Sequence, residues 1–407
     1  MGLQVFPAPS GGASYSSQPP ASASSVLLDG QLVTASSIST SVTGTGAPWL
    51  LYANGAGTTT ITIAGTPYTV TAGSTVGTSA YTGSKSVTVS GPVGAPLSFT
   101  ASTLPSSAAW QAATYGNGYF VAVDGGGSSK AAYSTNGTTW SSATLPATDY
   151  WDGVTYGNGY YVAVKYGPGT TGAYSTNATT WTAMTMSTVS LSFIAITYGN
   201  GTYVAPAYSN SSSAATSAGR YSTDAINWST MTMPTIAYWY AVAYGLIGAT
   251  GYFMAVSAVS TNAAYSTDGT TWTLITNTTP SSYAVCYGNG TFVCTPVSGT
   301  TGGYSTNGTS WTSMTMPSAG AGWSGVTYGN GYFIAVNGSG ATGAAYSTNG
   351  ITWTAGPSGL SGSTWYAITY GNNKFVAIQG SANVAAYTSL SALPVAYGIY
   401  NGATVRA

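Results

Sequence analysis

The sequence predicts an all-β chain built around a seven-bladed β-propeller, and three observations predict it. A Tyr-Gly-Asn-Gly signal recurs, with its tyrosines at Tyr115, Tyr156, Tyr198, Tyr244, Tyr287, Tyr328 and Tyr370. Their spacings by subtraction, 41, 42, 46, 43, 41 and 42 residues, fall in the range of one propeller blade. The last copy lacks a fourth strand, and a segment of matching pattern stands before the first copy.

Each copy reads as four short strands. The first precedes the tyrosine, as in Ser324-Gly325-Val326-Thr327-Tyr328. Asn-Gly then supplies the positive φ angles of a two-residue hairpin turn. The second strand follows, as in Tyr332-Phe333-Ile334-Ala335-Val336, and a variable connection leads to a third strand ending in Ala-Tyr-Ser-Thr. A second turn, Asn-Gly or Asp-Gly, leads to a fourth strand carrying Trp, as from Tyr133 to Trp140 or Tyr346 to Trp353. The fourth copy of the signal degrades to Tyr244-Gly245-Leu246-Ile247-Gly248, and the seventh to Tyr370-Gly371-Asn372-Asn373.

No such Trp follows Tyr387, yet Phe99-Thr-Ala-Ser-Thr-Leu-Pro105 resembles the fourth strand Trp140-Ser-Ser-Ala-Thr-Leu-Pro146. The last blade is therefore expected to take its outer strand from residues 99–105. This closes the ring and removes an open sheet edge. The propeller is expected to span 99–389.

The segment Tyr265-Ser266-Thr267-Asp268-Gly269-Thr270-Thr271-Trp272 resembles the Asp-box turn of sialidase-like propellers. The same turn recurs at Ser222, Asp224 and Trp228, with Asn in place of Asp at Asn136, Asn177, Asn307 and Asn349, and it is one residue shorter than the common pattern. The resemblance implies a turn capped by Asp or Asn and a Trp packed between blades. It does not imply sialidase chemistry, which needs an arginine cluster and a Tyr–Glu pair. This chain has Arg220 and Arg406, and no Glu.

Charged residues make up 3% of the 407, with six acids balancing six bases and no His. Six scattered bases cannot build a nucleic-acid patch. Without His there is no Ser-His-Asp triad, and without His or Cys clusters no expected metal site or cofactor. Other glycosidases need two nearby carboxylates, and Asp149 with Asp152 read as loop caps. The expectation is a protein without enzymatic activity. Cys286 and Cys294 flank the Asn289-Gly290 turn, which pairs them with Val293 and Val285 and sets the sulfurs on opposite faces. They are expected to be buried and unlinked.

Residues 1–24, rich in Ser, Ala and Pro, read as an extended arm. Residues 25–98 hold β-type runs such as Thr59-Ile-Thr-Ile63 and Ser86-Val-Thr-Val-Ser90, expected as a small β-sandwich-like anchor domain. Residues 390–407 read as a tail, with an extra strand around Val395–Tyr400. No apolar run reaches the roughly 20 residues of a membrane span, and no signal peptide is evident.

The Tyr-Gly-Asn-Gly and Asn-Gly turns share one face and are nearly uniform. The opposite face carries variable connections, where binding usually lives. Five residues before each repeat tyrosine stand Trp110, Trp151, Phe193, Trp239, Ser282, Trp323 and Trp365. Their six aromatics could ring the channel mouth as a platform for sugars, with Tyr150, Tyr238, Tyr240 and Tyr366 adding contact area. Regular repetition serves packing between blades equally well.

The layout of arm, small β domain and propeller resembles that of a bacteriophage fibre or decoration protein. The expectation is a virion appendage that assembles as a homo-oligomer with other virion proteins through residues 1–98 and presents the propeller to a host-surface glycan or receptor. The alternative is a purely structural capsid or tail component whose propeller mediates subunit contacts.

Overall fold

The computed structural model describes residues 98–388, apart from 276–279, 318–321, 339–342 and 361–363, and several strands outside that range. By contacts the chain divides into two compact units, Met1–Leu97 with Leu390–Ala407, and Ser98–Ser389. Both are all-β and antiparallel among the described strands.

In the first unit, Ser37–Asn54 and Thr75–Ser90 pair along most of their length. Thr58–Ile63 and Thr66–Thr71 extend the sheet on one side, and Phe6–Pro7 lies on the other. Ala396–Tyr400 also pairs with Ser37–Asn54, so the expected strand of the tail belongs to this N-terminal sheet. A two-residue ladder joins Leu27–Leu28 to Gln31–Leu32. Among the described residues these strands make one six-stranded sheet and that ladder, where two facing sheets were expected. The expected arm, save Phe6–Pro7, lies outside the described residues.

In the second unit the described strands make five four-stranded sheets, one seven-stranded sheet, and a two-stranded ladder of Leu191–Ser192 with Ser209–Asn210. A typical sheet runs Ser282–Gly288, Thr291–Pro296, Thr301–Ser305, Thr312–Thr315 from the inside out. In this hairpin Val285 pairs with Cys294 and Cys286 with Val293, and both thiols are buried and free. The last sheet is completed by Phe99–Thr103, whose residues pair antiparallel with Val384–Thr388. The chain's own N-terminal side thus supplies the strand that the seventh copy lacks.

One connection differs from expectation. Asp149 and Asp152 were read as caps of a loop, but Ser141–Gly157 is a single strand. Its first half is the outer strand of blade one, and its second half is the inner strand of blade two. Ser128 pairing with Asp149 and Trp151 with Lys165 carry the ladder across the junction.

The repeated residues hold blade to blade. In the hairpin turns Asn117 and Gly118 have φ of 43° and 82°, the left-handed pair that Asn-Gly favours. The glycine beside the repeat tyrosine has a different duty. A Cβ on Gly116 would overlap the ring of Tyr156, and the same relation links Gly157 to Tyr198, Gly199 to Tyr244, Gly245 to Tyr287, Gly288 to Tyr328 and Gly329 to Tyr370. Gly371 meets Tyr115, so this chain of contacts closes on itself.

The cores lie between neighbouring blades. Trp151 and Trp181 of blade two pack with Val121, Val123 and Leu145 of blade one. Trp110 and Trp140 of blade one pack with Leu104, Val376 and Ile378 of the last. In the second turn Asn136 Oδ1 accepts the N–H groups of Thr138 and Thr139, both at 2.9 Å, and Ser134 Oγ accepts that of Gly137 at 2.8 Å. Asp268 and Asp224 make equivalent bonds.

Candidate functional site

The innermost segments of the propeller enclose a cavity of about 550 Å³, lined by residues of all seven repeats. What points into it is decided by a slip in pairing. Trp151 pairs with Lys165 and Gly153 with Val164, which leaves Asp152 as an extra residue. The same slip leaves Gln111, Tyr240, Tyr283, Ser324 and Tyr366 extra in five other blades. A bulge of this kind re-aims a side chain that simple alternation would place elsewhere. All six extra residues line the cavity, with Ile194 at the corresponding position of blade three. The next residue in each strand is Ala or Gly (Ala112, Gly153, Ala195, Ala241, Ala284, Gly325, Ala367), which keeps the bore open.

The expected aromatic platform is corrected by the same geometry. Trp110, Trp151, Phe193, Trp239, Trp323 and Trp365 are all buried, none more than 3% exposed. Each stands one residue before the channel-facing position and packs between blades, so no ring offers a face to a ligand. The indole N–H of Trp151 donates to the Ala147 carbonyl at 3.1 Å and that of Trp365 to Leu360 at 3.0 Å, which fixes both rings.

The tyrosines fare otherwise. Tyr240 and Tyr366 line the channel together with Tyr283. Tyr240 and Tyr283 have ring centroids 5.1 Å apart, and Tyr208 lies 6.0 Å from Tyr240 and 5.0 Å from Tyr238. Tyr166 stands 5.8 Å from Tyr208, and Tyr150 meets Tyr166 edge-on at 6.4 Å. A continuous arc of rings thus runs from exposed Tyr150 and Tyr166, 50% and 42% accessible, down into the channel. These offset and edge contacts preorganise the rings with little freedom left to lose on binding.

Charges are few and placed with care. Asp149 forms an ion pair with Lys165 and accepts the N–H of Tyr150 at 3.0 Å. Buried Asp124 accepts the N–H of Gly126 at 2.9 Å and the Ser128 hydroxyl. Asp152 was expected to cap a loop, but it faces the cavity, and nothing among the described residues hydrogen-bonds its carboxyl. Burial, and then the neighbouring Asp124 carboxylate, push its pKa up to about 7. Burial likewise raises the Tyr240 phenol, helped by Tyr283 and Asp152.

Gln111, Asp152, Tyr283 and Ser324 were missed in the sequence, as were Tyr166 and Tyr208. A signal existed. Four residues before each repeat tyrosine the side chain varies among Gln, Asp, Ile, Tyr and Ser, whereas five residues before it the side chain is aromatic in six copies. Among the described residues, no three of His, Cys, Asp and Glu come together to hold a metal ion, and no helix is long and apolar enough to cross a membrane.

No protein-family model matches the sequence, and no curated protein matches it. Solved structures do match in fold. Virginiamycin B lyase from Staphylococcus aureus is similar over 72% of this chain and 99% of its own, at 13% identity and a TM-score of 0.61. YCF48 bound to a D1 peptide covers 72% and 96%, at 16% identity and a TM-score of 0.54. The WD40 β-propeller domain of Doa1 covers 72% and 96%, at 9% identity and a TM-score of 0.52. At these identities the likeness is one of fold, and the fold of residues 98–389 is a β-propeller.

Proposed function

We propose that this chain is a non-enzymatic binding protein of a virus particle, mounted through residues 1–98, whose propeller takes a host-surface glycan or receptor at the tyrosine-lined mouth of its channel. The observation that carries the binding role is the arc from Tyr150 through Tyr166, Tyr208 and Tyr240 to Tyr283. Rigid amphipathic rings offer apolar faces to sugar C–H groups and hydroxyls to polar partners. The virion setting is supported by the low charge of 3%, which suits dense packing on a particle.

Two neighbours bear on the choice between binding and catalysis. One propeller of like fold is described with a peptide bound. The lyase of like fold is described as catalytically inactive when a histidine is changed to alanine, and this chain has no histidine. That chemistry is not open to it.

The test is a glycan-array and bacterial-cell binding screen of the full chain beside the double variant Tyr208→Ala, Tyr238→Ala. Specific binding that falls at least tenfold in a variant of unchanged melting temperature supports the reading. Absence of binding from folded protein overturns it, and favours the structural alternative in which this face is covered by neighbouring subunits.

A further inference from the structure

We propose that the channel cavity holds an organic ammonium group, with Asp152 as its counter-ion and Tyr240, Tyr283 and Tyr366 as its aromatic wall. This rests on the reading of the channel mouth as a binding site and names the chemistry of what enters it. Three observations carry it. Asp152 is the one charged side chain among the residues that line the cavity, so no base there competes for it. Among the described residues its carboxyl has no hydrogen bond or ion pair, whereas Asp149 and Asp124 on the same face both have partners. The three tyrosines come from separate blades, each turned inward by its own bulge. A ring face attracts cations through its quadrupole, and aromatic walls beside a carboxylate suit ammonium better than any neutral group.

The cavity is also wide enough at about 550 Å³ for more than a bare ion. The neighbouring Asp124 carboxylate disfavours the charged form of Asp152; Tyr240, its phenol raised by burial, and Gln111 are neutral near pH 7. A cation would restore the ionised carboxylate, so binding should strengthen as pH rises. With the free carboxyl near 7, affinity should be about tenfold weaker at pH 6 than at pH 8.

Saturation-transfer NMR on the full chain tests this with tetramethylammonium and protonated glucosamine, against their uncharged counterparts tert-butanol and N-acetylglucosamine. The two cations separate a quaternary from a primary ammonium source. The expected result is saturable binding of at least one cation, no binding of its neutral counterpart, and, for tetramethylammonium, whose charge is fixed, the stated pH dependence in the unaltered protein. Asp152→Asn should weaken binding at least tenfold and Tyr283→Leu severalfold, with melting temperatures unchanged. Equal binding of charged and neutral probes, no binding of either cation, or a tetramethylammonium affinity indifferent to pH would each overturn the assignment. Loss of this binding with the glycan or cell binding of the rim intact would leave the proposed function standing.

Discussion

At one end of the blades the turns repeat, and at the other end they do not. The repeating end is made of Asn-Gly hairpins, Ser–Asn or Ser–Asp caps and Tyr–Gly contacts, found in nearly the same form in blade after blade. The other end carries the tyrosine arc, the Asp149–Lys165 pair and Asp152, and its residues differ around the ring: the position of Asp152 holds Gln111, Ile194, Tyr240, Tyr283, Ser324 and Tyr366 elsewhere. The same strands serve both ends. Identity between blades goes where each blade must grip the next, and variety goes where the strands turn inward. The contrast sharpens to a single residue along each inner strand, where a uniform aromatic is followed at once by a variable channel residue.

That one-residue boundary gives the largest expected effect. Trp239 is fully buried against Met231, Met233 and Phe253, and Trp239→Ala leaves a large void there. It should cost about 3–5 kcal/mol of stability. Tyr240→Ala, one position on, faces the open cavity and should cost under about 1.5 kcal/mol while weakening ligand binding. Denaturant titration of both variants measures the difference. Equal losses would show that the bulge does not separate packing from binding.

A second pair compares the two ends directly. A Cβ on Gly329 would run into the ring of Tyr370, which is held by packing against Phe375 with centroids 4.8 Å apart. Gly329→Ala should cost about 2–3 kcal/mol by overpacking. Gly167 lies in a connection at the variable end, has a φ of 91° and meets nothing within 4 Å of an added Cβ. Gly167→Ala carries only the left-handed penalty of about 1–2 kcal/mol. If the order were reversed, the Tyr–Gly contact would not be what joins neighbouring blades.

Much of this was legible in the sequence, for reasons that can be named. The repeat tyrosines mark blades because each one must meet a glycine of the blade before it. The exchanged strand could be read because Phe99–Thr103 has to repeat the pattern of a fourth strand in order to pair with Val384–Thr388. The channel was misread by one position. Alternation assigns every second residue to a face, and these bulges add one residue without a common marker, Gly following it in two blades and Ala in the others. Asp152 was therefore read as a loop cap, and Tyr283 was passed over in favour of Ser282 beside it. The tyrosine arc was hidden for another reason, since Tyr166, Tyr208 and Tyr240 come from three blades and meet only in space.

The smallest effect belongs to the caps at the repeating end, where Asp and Asn do the same work in different blades. The side-chain amide of Asn227 and then the N–H groups of Asn227 and Ile226 hold the Asp224 carboxyl down at about 2, below its ordinary 3.8. A carboxyl depressed in the folded state stabilises the fold fully above its unfolded value. That contribution shrinks as pH falls below about 4 and is gone once pH passes below about 2. Asn136, at the equivalent position, makes the same two backbone bonds at 2.9 Å with no charge to titrate. Asp224→Asn should therefore flatten the acid limb of a plot of melting temperature against pH, with little change at pH 7. The group is partly exposed and screened, so the gain at pH 2 relative to the parent should stay under about 1 kcal/mol. A parent protein whose melting temperature already ignores pH between 2 and 5 would mean that the caps at this end are held by geometry alone. Asp and Asn would then be interchangeable there in energy as well as in form.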